Sequence, residues 1–297
     1  MSFNNTCKEG YIALTGGKVW YRICGSDKKE VPLVVVHGGP GLSHDYLDTL
    51  EELSDERPVI FYDQHCCGNS EKKEDLTNWT LDYLGFELGR VLAMAEKTHD
   101  SNKYHIFAHS FGASVAVSHI LHTKLDGLVS LVLASPSLSI PLLRDDLNRC
   151  ISLLPQSVRD ILKSETPPGK FDEAPMAFYK SFFCRMNPFP DCLNRTLEKI
   201  NISMFDYMFG PGLFHLTGTL KEFDVTDRLG ELSLPTLLTC GVYDEITPDT
   251  VKYYHGKIRN SEMAIFNESS HMPHLEQKDE YLNYIRSFLI KHDVNAG

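Results

Sequence analysis

The sequence predicts an α/β fold: a mostly parallel, doubly wound sheet carrying an inserted helical cap. Three observations lead there. Continuously apolar runs of strand length occur at residues 32–37, 58–63, 104–109, 128–135, 236–241 and 263–267, the pattern of strands buried on both faces of a parallel sheet. Helical periodicity fills intervals between them, at 80–96, 111–122 and 250–258, and again at 277–291 after the last run. The alternation breaks once: between about 140 and 228 the chain is helix-like, rich in Phe, Tyr, Met and Pro, without a convincing strand. The expected division is a core of residues 1–138 and 229–297 with a cap of residues 139–228.

Each element has a local cause. Residues 11–14 and 18–24 flank Thr15-Gly16-Gly17 and read as a hairpin. The run at 32–37 stops at Gly38-Gly39-Pro40-Gly41, which suits neither helix nor strand interior. A polar, amphipathic helix is expected over 46–53. No repeat or low-complexity linker interrupts the chain, so the cap should pack firmly on the sheet.

Composition bounds the function. The 297 residues suffice for one domain with a large insertion. A net charge of −11 without a basic stripe argues against nucleic-acid or anionic-membrane partners. No apolar stretch approaches the roughly 18 residues needed to span a bilayer, and residues 1–5 lack the look of a secretory leader. The eight cysteines include no C-x-x-C pair; they are expected to be reduced thiols, not disulfides or a zinc site, in a cytoplasmic protein.

The chemistry centres on Ser110. In the string from Tyr104 to Ala113 a strand runs directly into a helix, with the serine on the corner and small residues two places either side, Ala108 and Gly112. Such a corner exposes a nucleophilic hydroxyl at a sheet edge, with Ala108 where Gly is usual. A neutral hydroxyl needs a base, and the base a carboxylate that orients it. In this topology those follow two later strands, in the order Ser, Asp, His. The run 236–241 leads into Val242-Tyr243-Asp244-Glu245, and 263–267 into Glu268-Ser269-Ser270-His271. Ser110 is therefore the expected nucleophile, His271 the general base then acid, and Asp244 the residue fixing the imidazole tautomer. Glu245 is the alternative orienter. His274 is the rival base, though its position three residues on suits packing or capping.

The oxyanion formed on attack needs two preorganised N–H donors. Phe111, directly after the nucleophile, supplies one, and Gly39 of the glycine-rich loop is the expected second. That loop lacks the Lys-Ser/Thr of a phosphate-binding sequence. His37, His105 and His109 read as packed structural residues, and Cys66-Cys67 lacks the positive surroundings of a reactive thiol. No metal or cofactor is called for.

The string His37-Gly38-Gly39-Pro40-Gly41 resembles the proline iminopeptidases, including the tricorn-associated archaeal aminopeptidase and related amino-acid amidases. Asp63-Gln64 with Gly68 and Ser70 is similar to the family's D-Q-x-G-x-G-x-S loop, with His65 and Cys66 where Arg and Gly are usual. Met208-Phe209-Gly210-Pro211, the segment 217–221 and Asp224 resemble the return from cap to core. The segments 241–248 and 270–276 match the acid and histidine loops. The resemblance implies an α/β-hydrolase fold and removal of an N-terminal residue, often proline, from small peptides or amides. It implies that Glu245 binds the substrate's ammonium. A second such acid is expected just after the Gly-Pro of the return segment, where this chain has Gly212-Leu213-Phe214. One acid instead of two weakens ammonium binding and gives ground to an amidase, or to a carboxylic-ester or lactone hydrolase on the same triad. A non-enzymatic binding protein is a third class. The aromatics at 178, 179, 182, 183, 205, 207, 209 and 214 form either the cap's own core or an apolar pocket.

Overall fold

Residues 7–73, 75–98 and 102–293 are described in the computed structural model of the chain. Among them, β1 (Lys8–Leu14), β2 (Gly17–Cys24), β3 (Leu33–Val36), β4 (Val59–Tyr62), β5 (Tyr104–His109), β6 (Leu128–Ala134), β7 (Thr236–Gly241) and β8 (Ser261–Phe266) form one sheet. Its order is β1-β2-β4-β3-β5-β6-β7-β8. β1 and β2 pair antiparallel with each other and β2 with β4; from β4 to β8 every pairing is parallel.

The continuous apolar runs have a direct physical outcome. Along β3, Val34 and Val36 enter one buried cluster and Leu33 and Val35 the other. In β5, Ile106 and Ala108 face the first and Phe107 the second. Successive side chains of a strand point to opposite faces, so a strand covered on both sides must be apolar at every position. One face is covered by α1 (Leu81–Thr98), α2 (Phe111–His122) and part of the helical segment between β6 and β7; the other carries a 3-10 helix at His44–Asp55 and α10 (Lys278–Asp293). The helix expected at 46–53 is thus of the tighter type, with Tyr46, Leu47, Leu50 and Leu53 buried.

Between β6 and β7 lie α3 (Ile140–Ser152), α4 (Gln156–Leu162), α5 (Glu173–Phe178), a π-helical turn at Tyr179–Phe183, α6 (Asp191–Glu198) and α7 (Ile202–Met208). The segment's two ends are joined: Ser139 bridges Asp224, and Ile140 N–H donates to the Phe223 carbonyl at 2.8 Å. α6 rests on the 3-10 helix, where Thr196 Oγ1 accepts from Tyr46 N–H at 3.0 Å. Beyond β8, α8 (Pro248–Lys257) having preceded it, a short α9 (Pro273–Glu276) leads into α10.

One expectation is corrected. Cys7 and Cys24 form a disulfide, so the cysteines are not all reduced thiols. The cause is the β1–β2 register, which steps from Leu14 opposite Gly17 back to Lys8 opposite Ile23, and one step further sets Cys7 against Cys24. The other six form no disulfide, and Cys192 alone of these is not fully buried. Among the described residues, no helix is long and apolar enough to cross a membrane. The leader reading concerned residues 1–5, which lie outside the described residues.

Candidate active site

The carboxyl ends of the parallel strands converge on one edge, where ligands of open α/β sheets bind. β3 ends in the Gly38-Gly39 loop, β5 in Ser110, β7 in the loop carrying Asp244 and Glu245, and β8 in the loop carrying His271. Ser110 has φ of 53°, a conformation costly for a residue with a side chain. It is held there from both sides. Its N–H donates to the Ala134 carbonyl at 2.9 Å, and its carbonyl accepts from Ala113 at 2.9 Å and Ser137 at 3.2 Å. The corner is tight: a Cβ on Gly112 would stand 2.5 Å from the Val36 carbonyl oxygen, and one on Gly38 would stand 3.0 Å from Ser110 Cβ.

His271 is buried and its Nδ1 lies 2.7 Å from Asp244 Oδ1. Asp244 is fully used: Oδ1 also accepts from Ile246 N–H at 2.8 Å, and Oδ2 from the Ser135 hydroxyl at 2.5 Å. A carboxylate so placed receives a hydrogen from Nδ1 and leaves Nε2 as the basic nitrogen. Burial by itself lowers the affinity of His271 for a proton, but Asp244, then Glu245 and Glu276, outweigh it and raise its pKa above the usual value. The loops bearing Glu245 and His271 are strapped to the helical segment between β6 and β7 by one atom, the Phe182 carbonyl, which accepts from both backbone N–H groups at 3.2 Å.

Ser110, His271, Glu245 and Gly39 all line one cavity, together with apolar side chains of the helical segment between β6 and β7 such as Tyr179, Phe183, Phe205, Phe209 and Leu213. The aromatics of this segment therefore divide: Tyr179, Phe183, Phe205 and Phe209 line the cavity, whereas Phe178 and Phe182 are buried in the core and Tyr207 packs edge-on against Trp79. No hydrogen bond joins Ser110 Oγ to His271 Nε2 among the described residues, although both face the cavity; such contacts tighten when substrate binds. The N–H groups of Gly39 and Phe111 have no protein acceptor among the described residues, whereas Gly38 N–H donates to Tyr46 Oη at 2.7 Å.

Glu245 is the one carboxylate among the described cavity residues, and Leu213 stands in the wall where the second acid was expected. Its Oε1 is 3.9 Å from His271 Nε2, too far for a hydrogen bond, and Oε2 has no partner. Burial pushes this carboxyl from 4.5 up to about 7. Below the lower value the proton is on in both folded and unfolded chains, and above the higher it is off in both. In between, the folded chain holds a proton that the unfolded chain has lost, so stability falls as pH rises through that window. The shift corresponds to about 3 kcal/mol. Glu245→Gln is therefore expected to gain about 3 kcal/mol on the parent between pH 4 and pH 8 in urea unfolding; a pH-independent difference would contradict this account.

His274, the rival base, is buried with Nε2 3.1 Å from the Tyr46 carbonyl, and burial pushes its pKa down to about 3. His37 is buried too, its Nε2 accepting from Gln64 N–H at 2.9 Å. His105 lies between Ser130 and Asp293. Burial drives the Cys67 thiol well above its usual range, which removes the thiolate needed for nucleophilic chemistry. Ser135, at the end of β6, is a site residue that sequence reasoning missed. It carries no local signal, and becomes legible only from β6 and β7 being neighbours.

The sheet, the strained serine at its edge and the imidazole–carboxylate pair beside it define a serine hydrolase of the α/β class. The chain matches the alpha/beta hydrolase family over residues 33–283. It is 36% identical over 287 residues to a proline iminopeptidase of Heyndrickxia coagulans, covering 95% of this chain and 98% of the relative. Identity is 32% over 292 residues to that of Thermoplasma volcanium, covering 96% and 97%. The crystal structure of the proline iminopeptidase of Mycobacterium smegmatis superposes with a TM-score of 0.88 at 28% identity, covering 98% of this chain and all of that one. The chain belongs to the proline iminopeptidase family of α/β-hydrolases.

Proposed function

We propose that this serine hydrolase releases an N-terminal residue of proline type from short peptides or amides through an acyl-enzyme on Ser110. Ser110 Oγ attacks the scissile carbonyl as His271 Nε2 takes its proton, and Asp244 stabilises the imidazolium. The N–H groups of Gly39 and Phe111 receive the developing oxyanion; their lack of protein acceptors supports this role, and the Tyr46 bond takes Gly38 out of contention. The imidazolium then gives its proton to the departing amine. Water, activated by the same His271, releases the amino acid. The helical segment 139–228 acts as the cap domain that closes the cavity over these steps.

The observation that carries the reading is Glu245: a buried carboxyl with no hydrogen-bond partner, facing the cavity within 3.9 Å of the base. An α-amino group is two bonds from the scissile carbonyl carbon, so an acid this close to the reacting atoms suits the terminal ammonium of the residue being removed. An ester or lactone substrate would use the apolar walls but leave this carboxyl unpaired, at a cost. Glu245→Gln is expected to raise KM for free-amine substrates about 10–100-fold, the worth of a charge-assisted contact, with N-acylated substrates or esters unaffected. Because the carboxyl must be ionised to bind an ammonium, KM of the parent for proline arylamide should climb about tenfold per pH unit below about 7. Equal effects on amine and acyl substrates would reject amine recognition. The reading includes a cytoplasmic location, supported by six cysteines outside any disulfide; the Cys7–Cys24 disulfide weighs the other way.

A further inference from the structure

Beneath the cavity runs a chain of hydrogen bonds that the proposed reaction does not use. Gly38 N–H and Tyr46 Oη are 2.7 Å apart, Tyr46 Oη and His109 Nδ1 2.9 Å, and His109 Nε2 and the His271 carbonyl oxygen 2.9 Å. Tyr46 and His109 are both buried. The protons follow from one end. A carbonyl only accepts, so His109 Nε2 carries the hydrogen. Burial, followed by the neighbouring His271 and His274 rings, holds His109 well below its usual pKa and hence neutral, so Nδ1 accepts. The Tyr46 hydroxyl must then donate to Nδ1, and its lone pair receives the Gly38 N–H. Each of the three donors has one acceptor in the run, and the direction is fixed.

We propose that Tyr46 and His109 are positioning residues that hold the oxyanion loop and the histidine loop in register across the cavity floor. The two loops need such a tie. Gly38 follows β3 and His271 follows β8, and β5, β6 and β7 lie between those strands in the sheet. Tyr46 enters from the 3-10 helix and His109 from the last residue of β5, directly before the nucleophile. A second bond reinforces the link, since His274 Nε2 donates to the Tyr46 carbonyl at 3.1 Å. Ring packing adds to it: His109 meets Tyr46 at 5.3 Å and His271 at 4.7 Å between centroids, both edge-on. Because His109 stays neutral, the imidazolium formed at His271 faces no second cation there. The bond to Gly38 also fixes which N–H of the loop is left for the oxyanion. Misplacing such groups by an ångström is enough to cost about 10²-fold in rate.

This inference rests on Ser110 and His271 acting as proposed, and the test separates the two. The full-length chain and the variants Tyr46→Phe, His109→Phe and His109→Gln are treated with a fluorophosphonate probe, and the rate of Ser110 labelling is measured beside kcat, KM and thermal midpoint. Tyr46→Phe and His109→Phe should slow labelling and kcat about 10–100-fold with KM within about twofold. His109→Gln places an amide N–H near the former Nε2 and should recover much of that loss through the His271 carbonyl. Parental labelling and kcat in Tyr46→Phe, or His109→Gln no faster than His109→Phe, would overturn the positioning role. If Tyr46→Phe does not fold, the His109 pair decides. No labelling of the parent would overturn the serine-hydrolase roles themselves, and the positioning role with them.

Discussion

Ser110→Ala is expected to lower kcat for proline arylamide by about 10⁶-fold, with KM and stability nearly unchanged. The hydroxyl makes no hydrogen bond to protein among the described residues, so its loss leaves no buried partner unsatisfied there and should move stability by no more than about 0.5 kcal/mol. The substituted alanine takes over the same backbone conformation, because the bonds to Ala134, Ala113 and Ser137 that hold the corner are made by main-chain atoms. What vanishes is the bond-forming atom alone. The residual activity should still exceed the uncatalysed rate, since on the proposed assignment the loop amides and Glu245 would go on binding substrate and oxyanion. A unit also has a signature in combination. Adding His271→Ala to Ser110→Ala should cost little more, for a base without a nucleophile has nothing to activate. A further thousandfold loss on that background would show that the serine and the histidine do not work as one.

The residues of this unit were legible because each follows an apolar strand, and chain order places parallel strands' carboxyl ends on one edge. The 3-10 form of residues 44–55 was not, since its apolar spacing suits either helix and tertiary packing chose between them. Glu245 reads from the residues only as an alternative orienter; its ammonium-binding role comes through family resemblance, and its burial shows only in three dimensions. Tyr46 and His109 show the limit more sharply. From the sequence Tyr46 reads only as the start of a helix and His109 as a packed structural residue, because their bonds run to groups 8, 63 and 162 residues away along the chain. The disulfide is the opposite case. The hairpin turn was read from Thr15-Gly16-Gly17, and extending its register one pair past Lys8 and Ile23 would have brought Cys7 and Cys24 together.

Asp244→Ala is expected to lower kcat by about 10⁴-fold, and Asp244→Asn to cost less than the alanine. Losing the carboxylate entirely frees the imidazole of His271 to turn or to take the other tautomer, with the hydrogen on Nε2 and no base toward Ser110. It also strands the Ile246 N–H in a dry site and takes from the Ser135 hydroxyl its 2.5 Å acceptor. Asparagine has a better option here than it would beside two fixed donors. Its oxygen can stay at the Oδ1 position, accepting from both His271 Nδ1 and Ile246 N–H, because Ser135 can rotate. The hydroxyl would accept from the new amide and redirect its own hydrogen to the His271 carbonyl, already 3.4 Å away. Tautomer and orientation then survive, and the loss reduces to the missing negative charge. That charge is the largest influence raising the pKa of His271, so its removal should carry the acid limb of the kcat profile to lower pH. A profile for Asp244→Asn that keeps the parental limb, or a rate no better than that of Asp244→Ala, would show that Ser135 does not adapt in this way.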